Sequence, residues 1–141
     1  MSKVVSMRLK DGQFQRLQRA ARQLGRRPSE AATLLLEESL RGREFAFIEF
    51  RDSPAGRQAY VKGTRLEVWW IAHLARDAGG DAAQIAALLE IPLAAVRAAL
   101  AYAATYTEEI EAAIADNERP VEDLKRQIPN LEIVTVDAAA P

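Results

Sequence analysis

The side chains that usually carry catalysis are scarce in this sequence and poorly placed. There is one histidine, His73, and no cysteine, so thiolate nucleophiles, thiolate metal ligands and disulfides are excluded together. His73 stands beside Trp69, Trp70 and Leu74. With no cysteine or second imidazole to complete a metal set, it reads as a structural residue. Glu108, Glu109 and Glu111 crowd one short stretch. A divalent cation could sit among such carboxylates, but at this spacing on one helix they read as a solvated face. No glycine-rich loop ending in Lys-Ser or Lys-Thr is available to cradle a phosphate. The expectation is a protein that is not an enzyme and uses no cofactor or metal.

What the sequence does offer is segregated charge. The net charge of −1 conceals 10 Lys/Arg against 4 Asp/Glu in residues 1–43, and 9 against 16 in residues 44–141. A basic segment joined to an acidic one suggests a surface for a polyanion attached to a module with another task. No run of about 18 apolar residues occurs and no signal peptide opens the chain, so the expected location is the cytoplasm, away from the membrane.

The basic segment has to be positioned by local structure. Residues 3–9 read Lys-Val-Val-Ser-Met-Arg-Leu, in which Val5, Met7 and Leu9 alternate with Val4, Ser6 and Arg8. Period two predicts a strand with one face inward. Phe14, Leu17, Ala20, Ala21 and Leu24 then recur at helical spacing, with Arg16, Arg19 and Arg22 on the other side, until Gly25 ends the helix. Pro28 and Glu30 suit the first turn of a second helix, carried by Ala32, Leu35, Leu36 and Leu40 to a stop at Arg41-Gly42. The strand has no partner in this segment, and alone it leaves both backbone edges unpaired. Two chains pairing their strands antiparallel above four helices remove the problem, so a homodimer is inferred from the missing partner.

Beyond residue 44 the pattern changes. Phe45, Phe47 and Phe50, then Ala59-Tyr60-Val61, then Leu66-Glu67-Val68 read as short strands around a Ser53-Pro54-Ala55-Gly56 turn. Helices are predicted over 69–78, 82–89 and 93–118, with Gly79-Gly80 between the first two and Asp81 capping the second. A short helix over 121–128 and a tail over 129–141 follow. The fold class is therefore mainly α with short β-strands. Three parts are expected: residues 1–43, a three-helix module preceded by short strands over 44–118, and a helix with an extended tail over 119–141.

The strand, the helix ending at Gly25 and the helix opening at Pro28-Ser29 resemble the ribbon-helix-helix family of bacterial repressors and antitoxins, the Arc- and MetJ-type fold. The resemblance implies a swapped dimer whose paired strands enter the major groove of double-stranded DNA. It implies that Val4, Ser6 and Arg8 face base edges, Arg8 offering a fork to guanine and Val4 meeting a thymine methyl. It also implies that the start of the second helix grips phosphate, here through Ser29 and Glu30 with Lys3, Arg26 and Arg27 close by. Pro28 has no N–H and removes one donor from that anchor.

Residues 47–114 are similar to the antitoxin family catalogued as domain-of-unknown-function family four-three-three, grouped with VapB-type antitoxins. The residues carrying the likeness are Val61-Lys62-Gly63-Thr64-Arg65-Leu66-Glu67-Val68, then Ile85-Ala86 with Leu89, then Ala95 to Ala103 with its Ala-Leu-Ala-Tyr-Ala run. It departs from the family at Leu89-Glu90-Ile91, where a Tyr-Pro turn is more usual. The resemblance implies a PIN-like nuclease toxin as partner. Ile85, Ala86, Leu89, Ile91, Val96 and Leu100 also have helix-turn-helix spacing. The exposed positions of the would-be reading helix are Ala94, Ala98 and Ala101 beside Arg97, too poor in donors and acceptors to read bases. A packing or protein-binding role is expected instead.

The reading that joins these parts is an antitoxin of a type II toxin-antitoxin system that represses its own operon through the N-terminal ribbon. The toxin-binding candidates are Arg119, Lys125, Arg126, Leu131 and Ile133, on an arm able to reach an acidic nuclease site. Two other classes stay open at this stage. One is a stand-alone dimeric regulator whose second module sets the oligomeric state, the dimer itself or a larger assembly. The other is a protein-binding scaffold that does not touch DNA.

Overall fold

The computed structural model describes residues 1–53 and 56–117; the predicted helix over 121–128 and the tail lie outside them. The described chain is mainly helical, with one two-stranded antiparallel sheet. None of the described helices is long and apolar enough to cross a membrane.

Residues 1–10 carry no regular structure and are exposed throughout. The predicted strand over 3–9 thus forms no strand within one chain, since the single sheet is made of later residues. Helix α1, Asp11–Leu24, starts where the Lys10 N–H donates to Gln13 Oε1 at 2.9 Å. It ends at Gly25, whose φ of 64° lets the Gly25 and Arg26 N–H groups turn back to the carbonyls of Arg22 and Ala21. Helix α2, Pro28–Glu44, takes Pro28 in its first turn and packs on α1 through Ala21 and Ala31. It does not stop at Arg41-Gly42 as the glycine suggested. The helix passes through Gly42 because Arg41 and the Phe45 side chain are both held by the module beyond, and tertiary contacts outweigh the roughly 1 kcal/mol that glycine costs.

Strands β1, Ile48–Ser53, and β2, Gly56–Val61, form a hairpin in which Ile48 faces Val61 and Phe50 faces Ala59. Ile48, Ala59 and Val61 are buried, so this face covers the core. The third predicted run, Leu66-Glu67-Val68, does not form a strand. Val68 begins helix α3, Val68–Asp77, and only Glu67 bridges back to Tyr60. Helix α4, Ala82–Leu89, is capped by Asp81, whose carboxylate accepts from the Ala83 and Gln84 N–H groups at 3.1 and 3.2 Å.

The long helix predicted over 93–118 is two helices, α5, Leu93–Thr105, and α6, Thr107–Asn117. The break falls at Thr105-Tyr106-Thr107. Both threonine hydroxyls bond back to carbonyls of the preceding turn, Ala101 and Ala104, and Tyr106 leaves helical geometry. The bend lets α6 fold onto α3, burying Ile110, Ala113 and Ile114. One core results, centred on Val68, Ile71, Ile85, Val96, Ala99, Tyr102, Ile110 and Ile114.

Candidate nucleic-acid interface

Among the described residues, more arginines stand without an ion pair in the N-terminal segment than in the helical module, where Arg65 and Arg97 do. Arg8, Arg16, Arg19, Arg22 and Arg26 are exposed and make no ion pair among the described residues. In contrast, Arg41, Arg51, Arg57 and Arg76 are each held by a carboxylate. Unpaired guanidinium groups on an exposed surface are available to phosphate oxygens.

Lys3, Val4, Ser6 and Arg8 are all exposed. Val5, Met7 and Leu9 border an open cleft of about 570 Å³ whose far wall is Ser29, Ala32, Thr33 and Leu36 of α2. Val4, assigned to the outer face, also borders this cleft with Lys3, so the alternation of faces is incomplete in one chain. Apolar surface stays open here: Met7 is 65 % exposed, Phe14 44 %, Leu36 53 % and Leu40 48 %. Met7 and Leu36 face each other across this cleft as exposed apolar side chains of an unpaired segment and its neighbouring helix, a surface that single chains rarely leave uncovered.

At the start of α2, Arg26, Ser29 and Glu30 meet around a second cleft of about 490 Å³. Arg27 is engaged there, donating to Glu30 Oε1 from Nη2 at 2.7 Å and Nε at 3.1 Å. The structure therefore brings Arg26, Arg27, Ser29 and Glu30 together but spends the Arg27 charge on Glu30. An anion at this helix start meets Arg26 unpaired and Arg27 already bonded to Glu30. Arg119, Lys125, Arg126, Leu131 and Ile133 lie outside the described residues.

Behind this surface lies a polar junction that the sequence reading did not pick out. Glu38 of α2, 9 % exposed, accepts from Arg57 Nε at 2.6 Å and Nη2 at 2.9 Å, while Arg57 also reaches Asp52 at 3.2 Å. One turn on, Arg41 Nη1 donates to Tyr102 Oη at 2.7 Å and Glu109 Oε1 at 2.9 Å, and Arg41 Nε donates to Glu37 at 2.9 Å. Tyr102 Oη donates to Glu109 Oε2 at 2.7 Å, and the guanidinium lies 3.8 Å from the Tyr106 ring centroid. Phe45 packs edge-on against Tyr102, centroids 5.3 Å apart. Burial opposes the Arg41 charge, but the hydrogen bonds to Glu37, Glu109 and Tyr102 outweigh it and hold the guanidinium pKa above its usual value. Tyr102 is fully buried, and burial first, then the Glu109 carboxylate, pushes its phenol well above the usual tyrosine range. The signal that could have revealed this junction is Glu38 itself. It stands seven residues after buried Ala31, on the same side of the helix, and a carboxylate at an inward position needs a cation.

The acidic stretch is put to use as well. Glu109 serves Arg41, and Glu111 pairs with Arg76 across to α3. No group of three or more His, Asp or Glu able to hold a metal occurs among the described residues. His73 is half-buried with its ring 5.8 Å from that of Trp70. Trp69 packs on the core while Trp70 is 39 % exposed, and a small depression between α3 and α4 is lined by Leu74, Asp77, Ala78, Gln84, Ile85 and Leu88. On α5, Ala94, Arg97 and Ala101 are exposed and Ala98 is half-buried, a face with little to offer a base edge.

The Gly-Thr-Arg turn of the module has a local explanation. Gly63 adopts φ 76°, its N–H donates to Glu49 at 3.3 Å, and Thr64 Oγ1 donates to the Val61 carbonyl while accepting the Leu66 N–H. Glu67 accepts from Tyr60 Oη at 3.0 Å and from Trp69 Nε1. Gly63 and Thr64 thus fix the turn itself and Glu67 ties the hairpin to α3, while Arg65 is exposed.

These features define a helical module carried behind an exposed basic segment. A family model described as Protein of unknown function (DUF433) matches residues 48–103, which are the hairpin and helices α3 to α5 up to Ala103. No curated protein and no solved structure matches the chain.

Proposed function

We propose that the chain is a homodimeric DNA-binding protein, reading double-stranded DNA with a ribbon made of two copies of residues 3–9, and that it acts as the antitoxin of a type II toxin-antitoxin pair. The observation that carries the DNA reading is the exposed, unpaired segment 3–9 lying beside uncovered apolar surface and unpaired arginines. A second copy supplies the missing strand and fills the cleft against α2. Ser6 and Arg8 then stand on a basic ribbon of the width that a major groove admits. The toxin half of the reading rests on the resemblance of the helical module to antitoxins, with the exposed Trp70 and Leu88 offering apolar anchors to a protein partner.

Titration of a labelled duplex from upstream of the gene, at fixed salt, tests the DNA reading. Arg8→Ala weakens binding by about 1–3 kcal/mol and relaxes base preference at one position. Arg19→Ala weakens binding to all duplexes alike and reduces the slope of log affinity against log salt by about one. Unchanged affinity and preference in Arg8→Ala removes that residue from the reading surface. Co-expression with the adjacent reading frame tests the toxin half, and the expected result is a stoichiometric complex with a PIN-like nuclease whose activity is silenced. DNA binding without such a complex leaves a stand-alone regulator.

A further inference from the structure

Helix α2 belongs to both parts of the molecule. Its first turns pack on α1 through Ala31 and border the cleft under residues 3–9. Its last turns hold the helical module through Glu38–Arg57 and Arg41–Tyr102–Glu109. No linker intervenes, because Phe45 caps α2 and Ile48 already begins β1. A helix of 17 residues, stiff over roughly 25 Å, carries a tilt imposed at its first turns to its last turns. The contacts at its end are the sort that a change of angle breaks. A two-pronged guanidinium–carboxylate pair and a phenol buried between an arginine and a glutamate both lose geometry together when a helix tilts.

We propose that α2 couples the two parts energetically, with Glu38, Arg57, Arg41, Tyr102 and Glu109 acting as positioning residues. Occupation of the N-terminal segment is then felt in the helical module, and occupation of the module is felt at the N-terminal segment, because coupling between two sites is reciprocal. The part of this inference that concerns DNA rests on the function proposed above; the coupling itself does not.

The chain contains its own reporter. Both of its tryptophans, Trp69 and Trp70, sit on α3, so tryptophan fluorescence follows the helical module alone. Thermal unfolding of the full chain is recorded by this signal for the wild type and for Ala21→Gly, which weakens α1 and its crossing with α2 and touches no residue of the helical module. Coupling lowers the fluorescence midpoint of Ala21→Gly by several degrees. An unchanged midpoint in a variant whose far-UV signal shows early loss of helix overturns the proposal.

A second arm adds duplex DNA at about a hundredfold its Kd, with binding measured separately by anisotropy. Bound DNA raises the fluorescence midpoint by roughly 5–10 °C, and Glu38→Gln combined with Tyr102→Phe reduces that rise by half or more. DNA that binds without moving the midpoint overturns the coupling and leaves the DNA reading standing. DNA that does not bind overturns the DNA reading, and Ala21→Gly still decides the coupling. Neither Ala21→Gly nor the wild-type DNA titration requires the double variant to fold.

Discussion

Tyr102 shows what one buried hydroxyl does in this chain. Its ring fills the core while its oxygen ties α5 to α2 and α6. Tyr102→Phe keeps the volume but withdraws the hydroxyl from Arg41 and Glu109, and a loss of about 1–3 kcal/mol in urea unfolding is expected. The same residue sets an alkaline limit. Because the fold holds the phenol neutral well above its ordinary value, that stability is fully present below about pH 10 and declines above it, as the unfolded chain ionises first. Tyr60 is shifted in the same direction by burial and by Glu67, so Tyr102→Phe reduces the alkaline slope without abolishing it. An identical slope in the variant contradicts the assignment. Glu38→Ala exposes the other half of the junction. It leaves Arg57 with only Asp52, and a loss of about 2 kcal/mol is expected, below the range for a fully buried pair because the Arg57 side chain retains 27 % of its exposure.

At the level of elements, the turn between α4 and α5 carries the backbone's one exception. Glu90 has φ 55°, the only positive φ at a non-glycine among the described residues, and the Ile91 N–H reaches back to Ala86. A left-handed side chain costs on the order of 1 kcal/mol. Glu90→Gly is therefore expected to raise unfolding stability by up to about 1 kcal/mol, since glycine relieves the strain but frees the unfolded chain; a clear loss of stability contradicts this. Elements with strong local signals were readable in advance: Gly25 and Pro28 bound the first two helices, and Asp81 caps α4. The α5–α6 break was not readable, because Thr105-Tyr106-Thr107 is tolerated in a helix and only the burial of Ile110 and Ile114 against α3 decides for a bend. Likewise Val68 suits a strand by propensity, and its place in α3 is set by the core.

The whole molecule joins a basic segment, unpaired among the described residues, to an acidic module that grips the same helix. The charge asymmetry, visible from composition, corresponds in space to exposed arginines without ion pairs at Arg8, Arg16, Arg19, Arg22 and Arg26, while Arg51, Arg57 and Arg76 of the module are paired. The junction between the parts was hidden because its members lie up to 68 positions apart in sequence, beyond the reach of any periodicity. The central claim is that residues 3–9 of two copies pair. Amide hydrogen exchange of the full chain, followed residue by residue, addresses it directly. Paired antiparallel strands protect alternate amides between Val4 and Leu9, because only every second residue bonds across the pair, and Met7→Asp abolishes that protection. If every amide in the segment instead exchanges as fast as in an unfolded peptide, at concentrations where the protein retards DNA, the ribbon does not exist and the proposed mode of DNA recognition is wrong.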